Sequence, residues 1–369
     1  MSYDKRIIDV FFALVRGGLW EQEVQLLPYG IVDYEPLRQL AEEQSVVGLV
    51  AAGLGHVEDI KIPKADVLQF IGQTLQLEQR NQAMNYFIGV TVEKMREAGI
   101  YSLIVKGQGV AQCYERPNWR SCGDVDFFFD ADNYEKAKDY LTPLASYVHP
   151  EEKVKKHLAM TIDPWEVELH GLMPTEISER INKGVCEVQR DIFENGGVRV
   201  WRNDGVDVYL PSPDNDIIIV FTHFLQHFFI GGVGLRQICD WCRLLWTYRD
   251  EIDRDLLEKR LHEMGILSEW TAFGALAVDY LAMPEEAMPF YTKSTSWTRK
   301  AQQICRVVLD AGNFGHNKDN SYRSRYPKLV EKSITFLRRL GEFVRLSMIF
   351  PQDAPRFFWT YVSKRVKAT

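Results

Sequence analysis

The chain predicts an α+β fold: a small mixed β-sheet core flanked by N-terminal and C-terminal α-helical regions. Three observations point to it. Only helical hydrophobic periodicity runs through the first hundred residues. Short β-type runs, some rich in aromatic and β-branched residues, are confined to about 99–210, and long helical patterns return from Pro211 onward. The expected division is a helical region over 1–98, an α+β core over 99–210 and a helical region with a basic tail over 211–369.

Each element has its own warrant. Residues 4–17 repeat Ile7, Ile8, Val10, Phe11, Phe12, Leu14 and Val15 at helical spacing. Helical patterning continues over about 35–54. A long helix is expected from about 64 to 98, opening after Pro63 and stopping at Ala98-Gly99. Its apolar positions include Leu68, Ile71, Leu75, Met84, Ile88, Val92 and Met95. Tyr101–Val105 reads as a strand, 107–114 as a short helix and Gly123–Phe129 as a second strand. Ala131–Leu141 reads as a surface helix capped by Asp130 or Asp132. Lys156–Ile162 and Trp165–His170 read as antiparallel strands joined at Asp163-Pro164, and Val198–Trp201 with Val206–Tyr209 as a hairpin around Asn203-Asp204-Gly205. Beyond Ser212 a helix runs to about Phe229, and Gly231-Gly-Val-Gly234 interrupts it. Further helices are expected near 235–248, 253–264, 267–281, 295–311 and 328–349. Pro351 and Pro355 are expected to break the last stretch.

Composition narrows the classes. A chain of 369 residues has room for two or three domains, and its 46% hydrophobic and 26% charged residues are ordinary for a soluble globular protein. Net charge is −7 but uneven: residues 321–369 carry eleven Lys/Arg and three Asp/Glu, a net of +8. Such an end binds nucleic acid or anionic membrane, or rests on the protein's own acidic body. Six scattered cysteines do not form a disulfide framework, and Cys239-Asp-Trp-Cys242 lacks the second CxxC of a zinc site. The N-terminus shows no cleavage signal and no apolar run reaches the ~18 residues of a membrane span. A cytoplasmic protein without an integral membrane segment is expected.

The chemistry-bearing run is Cys122-Gly-Asp124-Val-Asp126-Phe-Phe-Phe129. In a strand, period 2 places Asp124 and Asp126 on one face. Two such carboxylates repel unless a cation lies between them, and hard oxygen donors suit Mg²⁺ or Mn²⁺. A lone Asp-x-Asp is common on surfaces, so its context carries the reading. Glu166, Glu168 and His170 share one face of a later strand, and Glu168 is the candidate third carboxylate. Lys106-Gly107-Gln108-Gly109 ends a strand and opens a helix, where backbone N–H groups favour phosphate; an ordinary strand-to-helix turn has the same look. Arg116 and Arg120 stand ready to neutralise phosphate. His223 and His227, at i and i+4 among phenylalanines, read as packed or hydrogen-bonded histidines, and Asp240 either as an intrahelical partner of Arg236 or as a residue lining the pocket.

Together these residues resemble the nucleotidyltransferase superfamily of DNA polymerase β and kanamycin nucleotidyltransferase. The closer likeness is to a bacterial family called uncharacterised nucleotidyltransferases. The resemblance rests on Val105-Lys106-Gly107, Tyr114, Pro117, Arg120, Asp124-Val-Asp126-Phe-Phe-Phe, Glu168-Leu-His170, His223/His227 and Leu235-Arg236…Asp240, in that order, and covers roughly 80–300. It implies transfer of a nucleoside monophosphate from an NTP to an acceptor hydroxyl. Asp124, Asp126 and Glu168 would be catalytic and hold Mg²⁺ or Mn²⁺. Lys106, Gly107, Gln108, Arg120 and His170 would bind the nucleotide. Gly107-Gln108 stands where the superfamily has Gly-Ser or Gly-Gly, so Gln108 or Lys106 would replace a serine hydroxyl. Two other readings stay open: a catalytically silent nucleotide- or anion-binding protein, and an interaction protein using the basic tail from Arg356 to Lys367.

Overall fold

The computed structural model describes residues 3–315, 317 and 328–367. Four helices lead: α1 (Lys5–Trp20), α2 (Tyr34–Glu43), α3 (Val47–Leu54) and α4 (Lys64–Glu97). The mixed α+β part follows as β1 (Leu103–Val105), α5 (Gly107–Ala111), β2 (Asp124–Phe128), α6 (Ala131–Leu141), β3 (Tyr147–Val148), β4 (His157–Ile162), β5 (Trp165–His170), α7 (Glu179–Glu194), β6 (Val198–Asn203) and β7 (Val206–Pro211). Helices α8 (Pro213–Ile230), α9 (Leu235–Thr247), α10 (Arg254–Met264), α11 (Leu267–Leu281), α12 (Thr295–Ala311), α13 (Lys328–Ile349) and α14 (Asp353–Lys367) complete the described chain.

The seven strands form one mixed sheet in the order β3-β4-β5-β2-β1-β7-β6. Strand β2 runs antiparallel to β1 and parallel to β5, in a register that sets Asp126 opposite Glu168. Strand alternation then divides the core. Val125, Phe127 and Phe129 point with Ile104 into an apolar layer under α4 and α6, while Phe128, Leu103 and Val105 join the larger helical core on the other face. Asp124 and Asp126 share that second face with Phe128. The sheet therefore carries its polar residues toward α8 and α9, where the α5 turn also opens.

Four features differ from the expected elements. The run 35–54 is two helices, broken at Gln44-Ser45-Val46, where Ser45 has φ 55°. Gln44 is wholly buried there: its side chain donates to Val308 O and accepts from Leu235 N, so the break ties the N-terminal helices to α9 and α12. Helix α7 was not foreseen, although Ile181, Val185, Val188 and Ile192 have helical spacing and Ser178 caps it. Pro351 precedes α14, but Pro355 sits inside its first turn, where the missing N–H has no intrahelical acceptor to lose. Finally, Leu68, Ile71 and Leu75 of α4 are exposed, because this part of the 34-residue helix buries a different stripe, through Phe70 and Thr74.

Candidate functional site

The site begins at the end of β1. Lys106 has φ 56° and Gly107 φ 36°, a left-handed turn that suits glycine and costs a lysine conformational energy of order 1–3 kcal/mol. The turn directs Lys106 across to β2, where its Nζ donates to Asp126 Oδ1 at 2.6 Å. His170 Nε2 lies 2.8 Å from that same oxygen and 3.3 Å from Glu168 Oε2. His157 of β4 lies 3.2 Å from Glu168 Oε2, and its ring stacks on His170 at 4.9 Å. Asp124, Asp126 and Glu168 each bring one carboxylate oxygen within 4.8 Å of the others.

Charge governs this cluster. The Asp126 carboxylate beside Asp124, with burial second, pushes the Asp124 carboxyl up. Burial also opposes ionisation of Asp126, but the Lys106 ammonium and the hydrogen bond from His170 overcome it and hold that carboxyl down. Glu168 is likewise held well below the usual carboxylate range: hydrogen bonds from His157 and His170 outweigh its burial. Burial disfavours the His170 imidazolium, yet its bonds to Asp126 and Glu168 raise the histidine above its ordinary value. The cluster thus favours ionised Asp126 and Glu168, and the raised Asp124 marks negative charge not fully offset.

A cavity of about 340 Å³ covers these residues. Its opposite wall is α8, with His223 and His227, and α9, with Arg236 and Asp240. Burial and the nearby Lys106 charge keep both histidines neutral, His227 at about 4. The histidines read as packed are therefore cavity walls, with rings 4.6 Å apart.

The other expected site residues are placed as follows. Gly107 lies at the cavity edge, where a Cβ would lie 3.3 Å from Cys122 Sγ and the positive φ already disfavours a side chain. Gln108 turns away: its Nε2 donates to Asn81 Oδ1 at 2.8 Å in the interior, so its side chain does not take the place of a serine hydroxyl in the cavity. Arg120 lines the cavity but is held by Asp240, Nε to Oδ1 at 2.9 Å and Nη2 to Oδ2 at 2.6 Å. Tyr114 Oη donates to the same carboxylate at 2.8 Å. Asp240 hence pairs with Arg120, and Arg236 donates instead to Ser121 O at 2.7 Å.

Sequence reasoning missed His157 and Asn81. His157 could have been found from its alternation with Ala159 and Thr161 on a strand antiparallel to β5. Asn81 is a polar residue in an apolar helical stripe; it is wholly buried and donates to Asn118 O and Arg120 O, fixing the loop before β2. The Cys239/Cys242 pair is buried, with thiols pushed far up by burial, so it offers no reactive thiolate.

Two aspartates and a glutamate from parallel neighbouring strands thus line one cavity, under a lysine turn. The chain belongs to the uncharacterised nucleotidyltransferase family, whose model matches residues 32–282. Among solved structures it is similar to an antigenic nucleotidyltransferase-like protein from Paracoccidioides brasiliensis, at 15% identity and a TM-score of 0.32, over 54% of this chain and 92% of that one. No curated protein matches the chain. Among the described residues no helix is long and apolar enough to cross a membrane.

Proposed function

We propose that the protein transfers a nucleoside monophosphate from an NTP to an acceptor hydroxyl, using a divalent cation at Asp124, Asp126 and Glu168. The convergence of these three carboxylates carries the reading. The donor set fits Mg²⁺ or Mn²⁺: three hard oxygen donors, with Asp126 Oδ2 outside the bonds that Lys106 and His170 make to Oδ1. A bound cation would supply positive charge to the attacking and leaving oxygens. The protein's own groups do the rest. Lys106 and Arg236 face the triphosphate and offset its charge. Arg120, neutralised by Asp240, shapes the wall beside them.

In the reaction the acceptor oxygen forms a bond to the α-phosphorus as the bond to pyrophosphate breaks. The hydroxyl proton passes to solvent, since Glu168 is held too acidic to retain it and serves better as a ligand than as a base. Neutral His223 and His227 leave the cavity free of further positive charge on the α8 side.

One observation favours a second reading, a binding protein without turnover: Lys106 and His170 already supply Asp126 with positive partners. Mn²⁺ titration and pyrophosphate release with each of the four NTPs, over an acceptor panel of sugars, amino sugars and hydroxyl-bearing peptides, separate the two. Transfer is expected in wild type and absent in Asp124→Asn/Asp126→Asn. Turnover that persists in the double variant would sink the enzyme reading, and NTP binding without product on any acceptor favours the second.

A further inference from the structure

A second cavity of about 230 Å³ adjoins the first, between α3, the end of α1 and the loop that precedes β2. Only Arg120 and Arg236 line both hollows. Arg236 reaches each way. Its Nη1 donates to Ser121 O on the wall of the second cavity, and its charge acts on Asp124 in the first. The two cavities thus meet at these two guanidiniums.

The second compartment is built rather than incidental. A Cβ on Gly48 would lie 1.9 Å from Trp119 O, and one on Gly18 would lie 2.0 Å from Leu49 O. Helix α3 therefore touches both the loop and α1 by backbone, and Ser45 at its rim holds a left-handed backbone. Leu49 and Ala52 give an apolar floor and Trp119 an aromatic wall, with the Arg116 guanidinium 4.2 Å from its ring. At the far end Glu21 and Glu115 supply carboxylate acceptors, close enough that Glu115 raises the Glu21 carboxyl after burial has done so.

A ligand spanning both cavities is anionic at Arg236, flat and weakly polar over the apolar floor, and hydrogen-bond donating at its far end. A nucleoside joined to phosphate has these properties in that order. The acceptor side is the other one: Glu168 stands one strand away on β5, beside His157 of β4, and neither lines the second cavity.

We infer that the second cavity takes the nucleoside of the donor NTP. This rests on the reading that the carboxylate cavity binds the triphosphate. The test is calorimetric titration of the full chain in Mg²⁺ with the four NTPs and with inorganic tripolyphosphate. At least one NTP is expected to bind about tenfold or more tighter than tripolyphosphate, the contribution of a buried ring system. Ala52→Phe, which fills the floor, should abolish that advantage and leave tripolyphosphate affinity within about twofold. Glu115→Ala, on the exposed rim, should reduce it about threefold or more without threatening the fold. An NTP-to-tripolyphosphate ratio unchanged in either folded variant, or no advantage in wild type, overturns the nucleoside assignment and leaves the carboxylate reading intact. Failure of wild type to bind either probe overturns both.

Discussion

Replacing Asp240 by alanine tests the pairing of Arg120, a residue that lines both cavities. Asp240 is 3% exposed and accepts three hydrogen bonds, two from Arg120 and one from Tyr114. Removing it leaves the Arg120 guanidinium buried beside Arg236 with no carboxylate. The Coulomb attraction lost is about 4 kcal/mol at an effective dielectric of ~20. Breaking one side of a buried pair typically costs about 3–5 kcal/mol, and the stranded Tyr114 hydroxyl adds about 1–3. We expect Asp240→Ala to lose about 4–8 kcal/mol in urea unfolding followed by circular dichroism, seen as a lower midpoint at unchanged slope. Arg120→Met/Asp240→Leu should regain the part due to the unpaired guanidinium, about 3–5 kcal/mol, but not the part due to the Tyr114 hydroxyl, which still lacks its acceptor. A loss under about 1 kcal/mol for the single variant, or strict additivity in the double one, would refute the reasoning.

Other outcomes follow from buried polar groups and thiols. Burial, with the Asp353 charge second, pushes the Glu269 carboxyl from 4.5 up to about 8. The folded state then binds this proton more tightly than the unfolded chain, so its stabilising contribution is complete below pH 4.5 and lost as pH rises through about 8; in unfolding at pH 5 and 8.5, Glu269→Gln should remove a fall of a few kcal/mol. Asn81→Leu strands the carbonyls of Asn118 and Arg120 and the amide of Gln108, and should cost about 2–4 kcal/mol, read as a lower melting temperature. All six cysteines are free and only Cys186 is exposed, so Ellman's reagent should titrate one thiol rapidly in the native protein and the rest after unfolding.

How far the sequence spoke depended on the range of each interaction. Asp124 and Asp126 were legible because strand alternation is a local rule, and Phe127–Phe129 announced the strand. Glu168 was legible because its strand also alternates, and β2–β5 register then brings it level with Asp126. The Arg120–Asp240 pair was not, since its members are 120 residues apart and Arg236 offered a nearer partner at helical spacing. Gln108 misled for the same reason: its position in the turn is local, while the contact that turns it inward belongs to α4. The exposed Leu68, Ile71 and Leu75 show that periodicity identifies a helix without saying how much of it is covered. Of the basic tail, Arg356 pairs with Asp353 at 3.0 Å, while Arg323 and Arg325 and the side chains of Lys364, Arg365 and Lys367 lie outside the described residues.

The long reach of the Arg120–Asp240 pair has a consequence for biosynthesis. At about 5–20 residues per second, Asp240 emerges from the ribosome roughly 6–24 s after Arg120. Through that interval a nascent chain already holds Asp124, Asp126 and in time Glu168, but α9 is missing. Gln44 also waits, because its amide oxygen bonds the first residue of that helix. A chain arrested before Leu235 would carry the acidic face and a stranded guanidinium, without the α9 residues that wall both cavities.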